Sequence, residues 1–86
     1  MIKKLPLNLA RSIMRELLRF DGIQFGEVDK IAKLIPRDAS LLRICGNVSI
    51  NKLPEGKELV SIVKQYKKLF NLGCKIEQVF DYYNKN

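Results

Sequence analysis

From Leu9 onward, apolar residues recur at intervals of three and four through most of the chain, a period that suits helices and little else. Leu9, Ile13, Met14, Leu17, Leu18 and Phe20 fall on one side of a first helix that starts near Pro6 or Asn8. Asn8 is suited to capping it, and Gly22 to stopping it around Phe20 or Asp21, because glycine adopts positive φ without a Cβ clash. Val28, Ile31, Ala32, Leu34 and Ile35 repeat the period in a second helix, roughly Gly26 to Ile35. Pro36 closes it, since proline lacks an amide donor and disfavours helical geometry at the residue before it.

A short third helix is expected after a cap at Asp38 or Ser40, with Leu41, Leu42, Ile44 and Cys45 as its apolar residues and Gly46 as its stop. Val48 and Ile50 alternate as in a strand, but no partner strand is visible, so Asn47 to Lys52 reads as an extended loop plugging the core. Pro54 opens the longest helix, with Glu55 and Glu58 near its positive end and Lys67 and Lys68 near its negative end, running to about Asn71. Leu59, Ile62, Val63, Tyr66, Leu69 and Phe70 form its buried stripe, Gly73 stops it, and Ile76, Val79, Phe80 and Tyr83 give a closing helix. The 86 residues therefore predict one all-α domain spanning 1–86, a bundle of about five short to medium helices around a single core.

Little in the chain points to catalysis. It has no histidine, and Cys45 and Cys74, 29 positions apart, match no zinc spacing and read as reduced core thiols. Glu27 with Asp29, and Glu77 with Asp81, read as solvated surface carboxylates beside lysines. No phosphate-loop or dinucleotide signature is present. A non-enzyme without metal or cofactor is the expectation. Pro6, Asn8 and Arg11 interrupt any apolar run of a leader, and no segment approaches the ~20 apolar residues of a membrane span. These features, with only two cysteines, lead us to expect an intracellular protein, in the cytoplasm, without integral membrane association.

Charge narrows the candidate partners. Sixteen Lys and Arg against nine Asp and Glu give a formal charge of +7, concentrated in the two ends of the chain. Arg11, Arg15 and Arg19, at four-residue intervals, form a ridge beside the apolar stripe of the first helix, and Lys64, Lys67 and Lys68 do the same on the long one. Guanidinium groups suit bidentate contact with phosphate or carboxylate. The expected function is non-catalytic binding of nucleic acid, DNA or RNA, through its phosphate backbone, on a surface formed where the two basic helices meet. The alternative is an adaptor or inhibitor that docks an acidic protein through the basic first helix and the Ile23–Phe25 turn, with Phe25 as apolar anchor. Tyr82 could stack on an unpaired base while Tyr83 packs inward. Oligomeric state is not legible.

Three resemblances bear on these readings. A helix, the turn Gly22-Ile23-Gln24-Phe25-Gly26 and a second helix ending in KIAKLI resemble the helix-hairpin-helix DNA-backbone binders, which present turn amides and a helix N-terminus to phosphate. That resemblance implies contacts at Gly22, Ile23, Phe25 and Gly26. The family's glycines flank a single apolar residue, whereas here three residues separate them, and read locally Gly22 caps one helix and Gly26 opens the next. Leu9, Arg11, Ile13, Met14 and Arg15 are similar in order to the Leu-Tyr-Arg motif of mitochondrial assembly adaptors that dock an acidic acyl carrier protein, with Ala10 at the tyrosine position. The run from Gly26 to Pro36 looks like a helical segment of bacterial replicative polymerase alpha subunits, whose catalytic aspartates have no counterpart here.

Overall fold

A computed structural model of the chain describes residues 7–49 and 56–83. They form five helices, α1 (Leu9–Phe20), α2 (Phe25–Leu34), α3 (Leu41–Ser49), α4 (Lys57–Gln65) and α5 (Lys67–Tyr83), with no strand among the described residues. The fold is all-α, as the apolar period requires. Pro6, Ile50 to Lys52, Pro54, Glu55 and Lys85 lie outside the described residues.

In α1 the buried side chains are Ala10, Ile13, Met14 and Leu18, at the spacing that keeps one helix face inward. The chain then reverses through Gly22 at φ 88°, and the amides of Asp21, Gly22 and Ile23 bond back to the carbonyls of Leu17, Arg19 and Leu18. Gly22 is thus the expected left-handed stop. α2 buries Val28, Ile31 and Ala32 and ends where Ile35, the residue before Pro36, turns extended at ψ 122°. α5 packs against α1 and α3, while α2 packs against α1 and α4, so the core lies between all five helices.

Two glycines expected to stop helices do not. α3 runs through Gly46 and includes Asn47 to Ser49, so the expected loop begins no earlier than Ile50. α5 runs through Gly73, because that position serves close packing rather than termination. A Cβ there would lie 2.8 Å from Met14 Sδ and 3.0 Å from Leu41 Cδ1. The boundary between the last two helices falls instead at Tyr66, whose φ and ψ of −111° and 39° break the run expected to reach Asn71. No glycine or proline marks that break, and the Phe70 amide already bonds to the Tyr66 carbonyl, so the interruption spans a single residue.

Three polar or aromatic expectations are also corrected. Asn8 stands at the N-cap of α1, but at φ 66° and without a side-chain cap bond; its amide instead donates to the Arg37 carbonyl at 2.7 Å. Glu77, expected in solvent, is 1% exposed. It accepts from Ser40 Oγ at 2.7 Å and from the Leu41 amide at 2.9 Å, which satisfies the start of α3 from a neighbouring helix. Tyr83 faces outward like Tyr82, the two rings meeting edge to face at 5.4 Å.

Candidate functional site

The arginines of α1 are not loose surface groups. Arg11 Nε donates to the carbonyl of Ile35 and Nη2 reaches that of Lys33 at 3.5 Å, so a cation meets the carbonyl end of α2. Arg15 Nη2 lies 3.0 Å from Asp29 Oδ1, and Lys33 Nζ lies 3.0 Å from the other carboxylate oxygen. Hydrogen bonds from Lys33, then from Arg15, hold the Asp29 carboxyl below its ordinary range. Arg19 is 3.7 Å from Glu16 with both side chains well exposed, a pairing that contributes little in water.

Bracing against α2 leaves Arg11 and Arg15 lining a shallow cleft together with Asn8, Ser12 and Arg37. Arg37 comes from the link between α2 and α3 and is brought there by the bond between its carbonyl and the Asn8 amide. Three arginines thus line one depression at the start of α1, one of them bonded to Asp29. Sequence reasoning missed Arg37 because it lies outside any helical period. Only the fold brings it beside the ridge.

The lysines lie toward the other end of α1. α1 and α5 pack in opposite directions, Met14 lying near Gly73 while Asp21 shares a depression with Lys67 and Lys68. Lys64 occupies the last turn of α4 just before it. Arg11, Arg15 and Arg19 climb α1 over about 12 Å from the first basic group toward the second. The end of α1 and the start of α5 therefore lie at the same end of the bundle, where Asp21 adjoins Lys67 and Lys68.

Around the α1–α2 turn, Phe20 is 95% and Phe25 74% exposed, whereas Ile23 is half-buried against the core. Gly22 and Gly26 are open, with nothing within 4 Å of where a Cβ would stand. Glu27 occupies the first turn of α2, where it places negative charge at the positive end of the helix dipole, the position at which a helix-hairpin-helix would seat a phosphate. On α5, Leu72, Ile76, Val79 and Tyr83 are exposed along one side. Because α5 runs unbroken through Gly73, their 4-3-4 spacing forms one continuous stripe.

No described helix is long and apolar enough to cross a membrane. Compared with known proteins, the chain matches no family model, no curated protein and no solved structure.

Proposed function

We propose that the protein is a non-catalytic binder of polyanions that contacts the phosphate backbone of nucleic acid through the start and exposed side of α1. The observation that carries this reading is the shared cleft of Arg11, Arg15 and Arg37. Two of these arginines are held in place by protein groups, and a guanidinium fixed in position loses less freedom on meeting a phosphate. Arg19, with Lys64, Lys67 and Lys68, extends the contact along the bundle, and the net charge of +7 supplies long-range attraction. Backbone contacts of this kind position a protein without reading base sequence.

Fluorescence anisotropy of labelled single- and double-stranded oligonucleotides, titrated between about 50 and 200 mM salt, tests it. Affinity should fall steeply with salt as neutralised phosphates release counterions. Arg37→Ala and Arg19→Ala, both at exposed side chains, should each flatten the logarithmic salt slope by about one. Binding that ignores salt, or no binding in low salt, overturns the proposal.

The exposed pair Phe20 and Phe25 favours a second reading, docking onto an acidic protein with the turn as apolar anchor. It requires Phe25→Ser to abolish capture of such a partner with helicity and melting temperature unchanged, while oligonucleotide binding is absent in the wild type.

A further inference from the structure

Cys45 on α3 and Cys74 on α5 face each other across the contact between those helices. The Cys74 thiol donates to Cys45 Sγ at 3.1 Å, and neither is in a disulfide. Sequence spacing alone offers no reason to pair them, yet the fold leaves the two sulfurs only about 1 Å beyond the ~2.05 Å length of an S–S bond. We propose that this pair is a site of reversible thiol–disulfide modification, oxidised by a low-molecular-weight disulfide to a bond that ties α3 to α5. The bond would close the chain from Cys45 to Cys74 and so enclose the whole of α4. It is independent of any reading of the basic surface.

The two sulfurs divide the work by exposure. Cys45 is half-buried and Cys74 is 8% exposed, so the incoming disulfide meets Cys45 first. With oxidised glutathione as the oxidant, the Cys45 thiolate attacks one glutathione sulfur, the glutathione S–S bond breaks, and one glutathione leaves as thiolate and takes up a proton. Cys74 then gives its proton to water or base and attacks Cys45 Sγ, displacing the second glutathione. Two protein thiols are oxidised and one disulfide is reduced to two thiols. In the reduced pair, burial, followed by the hydrogen bond to Cys45, pushes the Cys74 thiol up to about 12, which disfavours Cys74 as a nucleophile. The short separation compensates by holding the attacking and attacked sulfurs together.

The test uses the full chain, reduced and dilute, exposed to oxidised glutathione and followed by intact mass, non-reducing electrophoresis, peptide mapping and thermal unfolding. A monomer lacking two hydrogens, with Cys45 and Cys74 in one linked peptide, is expected. Its midpoint should exceed that of the reduced chain by about 10 °C or more and return on adding dithiothreitol, because the crosslink restricts the unfolded chain. Cys74→Ser should stop at a glutathione adduct on Cys45, and Cys45→Ser should leave Cys74 unmodified while the chain is folded. A wild type that stops at the adduct, crosslinks only between molecules, or melts no higher once internally crosslinked overturns the proposal.

Discussion

Glu77 on α5 accepts the backbone amide of Leu41, the first residue of α3, at 2.9 Å in a site closed to solvent. One carboxylate also takes the Ser40 hydroxyl at 2.7 Å and lies 3.4 Å from the Leu42 amide. Helix starts carry amides without intrahelical partners, and a negative group is favoured there by the dipole. Glu77→Ala strands those donors and opens a cavity, and we expect a loss of about 2–4 kcal/mol. Glu77→Gln keeps an amide acceptor for Leu41 and can donate to Ser40, so its loss should be smaller. Chemical denaturation of both variants checks the ranking; equal losses would show that the charge, not the hydrogen bonding, dominates.

Gly22 and Gly46 make a paired prediction, since the sequence suggests the same capping role for both. Gly22 sits at φ 88°, where a Cβ is strained, and Gly22→Ala should cost about 1–2 kcal/mol. Gly46 is helical, exposed and open, with nothing within 4 Å of where an alanine methyl would stand. Gly46→Ala should therefore stabilise by about 0.5–1 kcal/mol through helix preference. Thermal melts of the two variants should move in opposite directions, and a destabilised Gly46→Ala would mean that α3 ends there after all.

The fold was legible wherever local chemistry and tertiary packing agree. The period of three and four located α1 and α2, and Gly22 and Pro36 ended them for backbone reasons that hold in any context. Gly73 defeated the same logic because its lack of a side chain is used by Met14, which packs into the space a Cβ would fill. Glu77 was illegible for a related reason: its partners, Ser40 and Leu41, are distant in sequence, and a carboxylate among lysines looks solvated until α3 is placed over it. The arginine ridge could be read from its four-residue spacing. Its completion by Arg37 could not, because a bond between Asn8 and Arg37 backbones brings that residue in.

Close approach at Gly73 has a measurable consequence. Alanine is favoured over glycine in a helix by about 1 kcal/mol. Against this, its methyl would meet Met14 Sδ at 2.8 Å and Leu41 Cδ1 at 3.0 Å, and both neighbours are completely buried. Overpacking of a filled core costs about 1–3 kcal/mol, so Gly73→Ala should be destabilising on balance and Gly73→Val more so. Urea midpoints falling in the order glycine, alanine, valine are expected. A stabilised alanine variant would show that Met14 and Leu41 yield freely and that α1 and α5 are not in close contact there.

Acid should weaken the brace between α1 and α2. Asp29 bonds Lys33 and Arg15 at 3.0 Å each, and these cations hold its carboxyl below the ordinary value of 3.8. Because the folded value is the lower one, the unfolded chain takes up the proton first. The stabilisation is therefore complete above about 3.8 and is lost as pH falls through the folded value. Asp29→Asn removes the charge at nearly constant size, so the stability difference between wild type and variant should be flat at neutral pH and shrink toward zero in strong acid. Comparing urea midpoints of the two proteins at each pH cancels the titration of other carboxylates. Lys33→Met should raise the Asp29 titration midpoint, followed by carboxyl NMR, more than Arg15→Met does, since the lysine is the larger cause. A difference that persists undiminished in acid would mean that Asp29 acts through packing and not through its charge.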